Sequence, residues 1–345
     1  MTKLPPSFVS RLRDAEPRLM ELLDRFSSVS VLVAGDLTLD EFLTGEVERI
    51  SREAPVPIIR HESTRRVPGG GANAVYNLAT LGGQVKVAGF IGDDEQGRAL
   101  VEIFQNAGIE TSGIVVERDR PTVTKTRISA HARQSVTQQV IRVDRKSDDL
   151  PSVELQEKLA SYIDGEISNV GAIVCSDYGD GVLMPPTIRS ALKHPLSIVD
   201  TQKGLSRFFG AILFTPNIPE AEKEVGYAID SDEALRKAGA DLLDRTGAQY
   251  VLITRGGDGM SLFEGSESIE HIPAFNRTDV FDVTGAGDTV VAALTLALCS
   301  GASVWEAIVL GNLAASLVVR QFGTATTDID EMKAALTALL SVETC

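Results

Sequence analysis

Short apolar runs without internal alternation recur along this chain, and most of them close on a glycine or an acid. Residues 28–36 read SVSVLVAGD; GAIVCSD (171–177), LSIVD (196–200), AILFTPN (211–217) and YVLITRGGDG (250–259) repeat the pattern. A strand with one wet face alternates apolar and polar residues. A run without alternation is buried on both faces, as the central strands of a parallel sheet are. Segments with helical spacing lie between the runs: GANAVYNLATLG from Gly71, DEQGRALVEIFQNAG after the strand-like QVKVAGFIG, and stretches over 286–300 and 304–320. This order predicts an α/β fold, a doubly wound, mostly parallel sheet with helices on both faces. Ligands in such sheets bind outside the carboxyl ends of the strands, so the Gly-Asp closing 28–36 marks the side where a site is expected.

Two regions break the rhythm. Residues 42–67 and 122–143 contain β-branched or alternating pieces such as APVPIIR and TVTKTRISA between turns. They predict short antiparallel strands outside the main sheet, a small β lid. Phe8, Leu12, Leu19, Leu22, Leu23 and Phe26 stand at helical spacing, with Pro17 placed to start a second helix. The expected organisation is a helical N-terminal extension over 1–27 and one domain over 28–340, with the lid inserted discontinuously.

Charge narrows the partners. Lys and Arg total 33 against 48 Asp and Glu, a formal charge of −15. A face that neutralises a nucleic-acid backbone needs a basic excess, so nucleic acid is not an expected partner, although a local basic cluster can still hold a small anion. Cys175, Cys299 and Cys345 are too few and too scattered for a disulfide framework or a cysteine metal motif, and His61, His131, His194 and His271 show no ligand spacing. The first residues lack the unbroken apolar core of a secretory signal. The most apolar segment, 290–299, is too short to span a bilayer. A cytoplasmic location without a membrane partner is expected.

The chemistry concentrates in a few segments. Asp282-Val283-Thr284-Gly285-Ala286-Gly287-Asp288-Thr289 precedes a strongly apolar helical stretch. Small residues let a backbone approach a ligand, and free N–H groups at a helix start hold an anion. Asp288 would stand beside that anion, either as a helix N-terminal acid after a plain turn or as a base for a hydroxyl attacking a phosphoryl group. Pro68-Gly69-Gly70-Gly71-Ala72-Asn73 reads as a flexible turn at a helix start, or as a close approach where Asn73 meets sugar hydroxyls. In Thr215-Pro216-Asn217-Ile218-Pro219-Glu220, Asn217 and Glu220 form a capping box or order metal-bound water near phosphates. Thr254-Arg255-Gly256-Gly257-Asp258-Gly259 closes a hairpin or lies on a nucleotide. Lys125, Arg127 and Arg142 are solvated charges on the lid, or they bind a phosphate already on the substrate, for which the Arg fork is suited.

GGGAN, TPNIPE, TRGGDG and DVTGAGD, in that order, resemble the ribokinase-like (PfkB) family of carbohydrate kinases over roughly residues 28–330. Within that family the chain is most similar to the heptose 7-phosphate kinases of ADP-heptose synthesis. The likeness rests on VLVAGDLTLDEFLTGEVERISREAPVPIIR, PGGGANAVYNLATLG, PTVTKTRI with QQVIRVD, and VFDVTGAGDTVVAAL. Where those kinases commonly carry Asp-Pro-Lys-Gly, this chain has Asp200-Thr201-Gln202-Lys203-Gly204, and no HxGH-type motif of a nucleotidyltransferase follows residue 330.

The resemblance implies a ribokinase-like fold and an ATP- and Mg²⁺-dependent transfer to a hydroxyl of a phosphorylated sugar, the anomeric hydroxyl of heptose 7-phosphate. It implies Asp288 as the general base, with the N–H groups of Gly285, Ala286 and Gly287 stabilising the moving phosphoryl group. Asp40, at the end of the first strand, would hold the sugar with Gly70, Gly71 and Asn73, while Lys125, Arg127 and Arg142 serve its phosphate. Asn217 and Glu220 would serve the Mg²⁺–phosphate end, Glu220 through water, and Thr254, Gly257, Gly259 and Asn312 the nucleotide. Asp282 and Thr284, with carbonyls near Val318 and Gly323, resemble the monovalent-cation site of many members, where K⁺ binds. A homodimer through the β lid is implied as well. Two other readings stay open: a kinase for an unphosphorylated sugar or sugar acid, of the ribokinase or 2-keto-3-deoxygluconate kinase type, and a non-catalytic sugar- or nucleotide-binding regulator. Asp288 argues against the regulator. A dehydrogenase is not expected, since no GxGxxG follows the first strand.

Overall fold

The structure, a computed structural model, describes residues 4–132, 136–265, 268–276, 280, 282–321 and 323–342. Phe281 of the VFDVTGAGD stretch and Cys345 lie outside the described residues. The chain opens with helix α1 (Pro6–Arg25), and Pro17 sits inside it instead of starting a second helix. An internal proline costs about 3 kcal/mol. Against this, Leu12, Leu19, Leu22 and Leu23 are fully buried, and each contributes roughly 1.5–3 kcal/mol, so packing outweighs the break. Strand β1 (Ser30–Gly35) follows. Its Val31 and Val33 enter one apolar cluster while Leu32 and Ala34 enter another. Successive side chains point to opposite faces, and both faces are covered, which explains a run with no polar alternates.

The chain then leaves the main sheet at once. Strands β2 (Leu37–Ile50) and β3 (Pro57–Gly70) form an antiparallel hairpin longer than the expected 42–67 segment. Asp40 therefore lies within β2, not at the end of the first strand. Gly69 and Gly70 end β3, and only Gly71 belongs to helix α2 (Gly71–Thr80). These glycines are packing requirements rather than a flexible turn. A Cβ on Gly69 would lie 2.7 Å from Asp40 Cγ, and Gly70, at φ +53°, would place one 2.8 Å from Thr38 Oγ1.

Strand β4 (Gln84–Gly92) returns to the main sheet parallel to β1, and helix α3 (Glu95–Asn106) leads to the edge strand β5 (Glu110–Glu117). Strands β6 (Val123–His131) and β7 (Gln138–Arg145) complete a small sheet of order β3-β2-β6-β7. Because β6 arrives by a long crossover and not by a hairpin, it pairs with β2 in parallel. The small sheet is mixed, where wholly antiparallel strands were expected.

Helix α4 (Val153–Glu166), β8 (Ala172–Asp177), α5 (Pro185–Ala191), β9 (Ser197–Thr201), the two-residue β10 (Leu213–Phe214), α6 (Ile218–Val225), α7 (Asp232–Thr246) and β11 (Tyr250–Thr254) build the second half of the main sheet in parallel. Strands β12 (Met260–Glu264) and β13 (Ser268–Ile272) add an antiparallel edge. Helices α8 (Ala286–Cys299), α9 (Val304–Val318) and α10 (Ile329–Val342) end the fold. The main sheet runs β13-β12-β11-β10-β9-β8-β1-β4-β5. The chain steps from β1 to β4 on one side and later to β8 on the other, so the strand order reverses at β1, where a ligand crevice opens. Among the described residues no helix is long and apolar enough to cross a membrane.

Candidate active site

Two cavities meet at that crevice. The larger, about 480 Å³, has mostly apolar walls that include Met260, Phe275, Val290 and Ala315, and Gly257 and Asn312 also face it. The smaller, about 230 Å³, is bounded by Asp177, Tyr178, Asp200, Glu220, Gly285 and Asp288. Asn217, Thr254, Val283 and Gly287 line both, so the two form one cleft with an apolar end and an acidic end.

Asp288, 4% exposed, stands at the acidic end on the first turn of α8. Its Oδ2 accepts a hydrogen bond from Asn73 Nδ2 at 2.7 Å and its Oδ1 one from the Tyr178 hydroxyl at 3.2 Å. Burial pushes its pKa up to about 6, against the pull of those two bonds and of the Lys125 charge; Asp40 adds to the rise. A carboxylate so poised is ionised at neutral pH yet basic enough to take a hydroxyl proton. Asn73 Oδ1 accepts from Asn77 Nδ2 at 3.1 Å. The Asn73 amide is thus held between Asn77 and the acid, where the sequence suggested sugar hydroxyls.

Tyr178, Asp177 and Asp200 of the acidic end escaped the sequence reading, as did Asp36, which supports the Tyr178 loop from outside the cavity. Asp36, 1% exposed, closes β1 and accepts N–H bonds from Tyr178 (2.8 Å), Asp180 (3.0 Å) and Val182 (3.0 Å). Burial, with Asp177 and Asp180 nearby, pushes its pKa up to about 6 against two of those bonds. It pins the loop that presents Tyr178. Tyr178 itself carries Lys125 Nζ 5.5 Å from its ring centroid. The signals were there: an acid at the end of the first apolar run, and an aromatic residue directly after GAIVCSD.

Asp200 and Glu220 complete the acidic wall. Burial first, then Asp288 and Glu220, drive the Asp200 pKa well above the carboxylate range. Burial raises that of Glu220 against its bonds with Asn217. Among the described residues no group of three or more acids, His or Cys is placed to hold a metal ion, so the two acids are the polar wall of the cavity and not a preformed metal cage. The capping-box reading of Asn217 and Glu220 holds: Glu220 N donates to Asn217 Oδ1 and Asn217 N to Glu220 Oε2, both at 2.9 Å.

At the GAGD turn Gly285 has φ +79°, and a Cβ there would lie 2.6 Å from Asn73 Nδ2. Nothing lies within 4 Å of a Cβ built on Gly287. The Ala286 N–H donates to Val283 O at 3.2 Å, so of the three N–H groups expected to hold a phosphoryl group it is turned into the chain. Thr254, Gly257 and Gly259 line the apolar end, and Gly259, at φ +84° with Ile272 O 2.0 Å from where a Cβ would stand, also closes the β11–β12 hairpin. The TRGGDG segment closes the hairpin and also lines the apolar cavity. Asn312 Nδ2 donates to Pro273 O at 2.8 Å and fixes the wall that carries Phe275. Asp282 Oδ1 accepts from Thr284 N (2.9 Å) and Oγ1 (2.7 Å), and its Oδ2 accepts from Gly323 N (3.0 Å). These bonds, with Arg127 nearby, outweigh burial and hold its pKa low.

The small sheet overhangs the acidic end. Arg127 Nη1 lies 2.9 Å from Asp40 Oδ1, an ion pair in which neither atom has a hydrogen-bond partner among the described residues, and both are buried. Arg142 is gripped by Asp144 through Nε–Oδ1 (2.7 Å) and Nη2–Oδ2 (2.6 Å). Of the basic trio, Lys125 and Arg127 face the acids of the cleft, and the Arg142 fork is already engaged.

Residues 30–332 match the family model of the pfkB family carbohydrate kinases. The chain belongs to the pfkB family. It is an alcohol-directed phosphotransferase acting on a sugar, and its fold is the ribokinase-like one. This pfkB kinase is 39% identical to the "Bifunctional protein HldE" of Pelobacter propionicus, over 88% of this chain and 62% of the relative. It is 40% identical to that of Paramagnetospirillum magneticum, over 92% and 65%. It thus spans less than two thirds of these relatives. Its fold also matches Escherichia coli phosphofructokinase-2 in complex with potassium, at TM-score 0.72 and 20% identity over 90% of this chain and 99% of that one. Arabidopsis thaliana ribokinase complexed with ribose and ATP gives 0.67 and 20%, over 90% and 98%.

Of Gln202 and Lys203, either of which can correspond to the lysine of the Asp-Pro-Lys-Gly pattern, Gln202 lines the acidic cavity of this pfkB kinase. Lys203 lies alongside Gly179, with Cε 1.8 Å from where a Cβ on that glycine would stand. A side chain at 179 would therefore displace this lysine from the rim.

Proposed function

We propose that this chain transfers the γ-phosphoryl group of ATP to the anomeric hydroxyl of a heptose 7-phosphate. The observation that carries the reading is Asp288: a buried carboxylate fixed by two donors, at the junction of an apolar cavity and an acidic one. Asp288 takes the hydroxyl proton as the sugar oxygen bonds to the γ-phosphorus and the bond to the bridging oxygen of ADP breaks. The N–H groups of Gly285 and Gly287 face the charge on the transferring group. Thr254, Gly257 and Asn312 flank the nucleotide, with Gly259 shaping the hairpin beneath it. Glu220 and Asn217 would hold Mg²⁺ through water, where it would offset phosphate charge. Asp282, Thr284 and Gly323, already joined by hydrogen bonds, would hold K⁺. Asp40 Oδ1 and Arg127 Nη1, buried atoms in one ion pair that make no hydrogen bond among the described residues, meet the hydroxyls and charge of the acceptor, beneath a lid formed by the small sheet.

ADP formation against a panel of heptose 7-phosphate, fructose 6-phosphate, ribose and 2-keto-3-deoxygluconate tests the reading. The heptose phosphate should dominate; equal turnover of an unphosphorylated sugar would replace it with the ribokinase-type reading. Two chains also pair through the outer face of the lid. Leu43, Ile128 and Ile141 form one cross-strand row there, and Ile141 (53%) and Val143 (50%) are exposed on the edge strand. A single-chain mass at all concentrations in solution would contradict this pairing.

A further inference from the structure

The inner face of the small sheet carries three guanidinium groups abreast. Arg65 pairs opposite Phe42, Phe42 opposite Arg127, and Arg127 opposite Arg142, so one row crosses all four strands. The row two residues away, on the same face, is Val67, Asp40, Lys125 and Asp144. Arg65 and Arg127 both lie over the Phe42 ring, with Cζ 4.9 and 5.2 Å from its centroid. Like charges one strand spacing apart repel. Asp144 neutralises Arg142 and Asp40 neutralises Arg127. Among the described residues no carboxylate lies within ion-pair distance of Arg65. Within these two rows, four cations (Arg65, Arg127, Arg142, Lys125) against two anions (Asp40, Asp144) give the sheet face a charge of +2, with Asp282 near Arg127 and Asp288 near Lys125 across the cleft. The exposed Arg65 also reaches the rim of the cleft: a Cβ on Gly323, which bonds Asp282, would lie 3.3 Å from Arg65 Nη2.

We infer that Arg65, with Arg127 beside it across Phe42, receives the phosphate that the sugar acceptor already carries. A phosphate dianion matches the excess charge, and the guanidinium plane offers paired donors to its oxygens. Phe42 holds both forks in place by cation–π contact, which spares ordering cost on binding. The sequence pointed to Arg142 for this task. Its fork is occupied by Asp144, and Arg65 takes the place. Arg65 is thus a specificity-determining residue, and the inference rests on the phosphorylated-acceptor reading above.

The test is calorimetric titration of the whole chain with heptose 7-phosphate, with the unphosphorylated heptose and with inorganic phosphate, alongside steady-state kinetics. Arg65→Ala should weaken heptose 7-phosphate binding by about 10–100-fold, the worth of a charge-assisted contact. Affinity for the unphosphorylated heptose and for ATP should stay within about twofold of the unmodified chain. Arg65→Lys, which keeps the charge but not the fork, should recover part of the loss. Arg60→Ala, which removes an exposed charge elsewhere on β3, should change none of these. Undiminished phosphosugar binding by Arg65→Ala would overturn the inference, as would an equal loss for both sugars. If the unmodified chain binds the phosphosugar through Arg65 but yields no ADP, the kinase reading fails and the phosphate site stands.

Discussion

The two ends of the cleft are built on opposite principles. The apolar end is a matter of shape: Met260, Phe275, Val290 and Ala315 form its walls, glycines keep it open, and Asn312 braces one side by a single bond to Pro273. The acidic end is a matter of charge: Asp177, Asp200, Glu220 and Asp288 crowd strand ends and helix starts, held by directed donors and faced by lysine and arginine from the small sheet. The contrast separates what each can do. Apolar contact is tolerant and graded. Buried charge is sensitive to a single proton or donor. Substitutions at the acidic end should therefore alter rate and pH dependence, and those at the apolar end only affinity.

The sharpest break in that comparison is Asp288→Asn. The amide keeps the shape but cannot accept the hydroxyl proton, so turnover should fall by about 10²–10⁴-fold while ATP binding measured by titration stays nearly intact. Near-normal turnover would remove the base from the acidic end. The unmodified enzyme should lose kcat/KM about tenfold per pH unit below pH 6, as Asp288, raised to about 6, takes up a proton. Stability runs the other way. Asp36 and Asp288 both have folded-state pKa values above the ordinary one. Their contribution is present in full below the ordinary carboxylate pKa and is lost as pH rises through about 6. Mild acid should silence the enzyme while these two acids favour the fold, a divergence that activity and thermal melts read separately.

A smaller effect is expected for Tyr178→Phe. The ring and its contact with Lys125 remain, but Asp288 Oδ1 loses a donor. A carboxylate with one bond fewer is less stabilised when ionised, so the acid limb of the pH profile should move upward. Turnover on the plateau should fall by about 3–10-fold, in line with one hydrogen bond, and the acceptor KM should hold. Asn73, Lys125 and Asp40, with Asp200 and Glu220 across the cavity, remain to set the new pKa. An unmoved acid limb would reduce Tyr178 to a wall of the cavity.

The same contrast explains how far the sequence could be read. The main sheet was legible because burial on both faces leaves an unbroken apolar run, and the GAGD turn because its glycines and acid are neighbours in the chain. The acidic end was legible only in part. Asp288 stood in a motif, but Tyr178 lies 110 residues away in the chain and Asn73 215, and no local pattern announces that they share one carboxylate. Arg65 was invisible for a related reason: a charged residue in an alternating strand reads as solvent-facing until the register sets it beside Phe42 and Arg127. Pro17 misled because a helix-breaking residue was weighed before the leucines around it were known to be buried.

The smallest expected effect tests the apolar end alone. Phe8 of the N-terminal helix packs its ring against Phe275 (centroids 5.9 Å apart) and Trp305 (6.1 Å), and Arg11 stacks on Trp305 at 3.9 Å while pairing with Glu270 of β13. Phe275 is a wall of the larger cavity. The helix therefore buttresses that wall from behind, a task beyond simply covering the sheet. Truncating the helix would also remove Leu12, Leu19, Leu22 and Leu23 from the core, so the informative change is the half-buried Phe8→Ala. An aromatic pair contributes about 0.5–1.5 kcal/mol beyond burial. If half of that reaches Phe275, the KM for ATP should rise roughly 1.5–4-fold. Because Phe8 touches no group of the acidic end, the acceptor KM and the acid limb should stay where they are. A change in the pH profile would show that the two ends are coupled through α8 and that the division drawn between shape and charge is too simple.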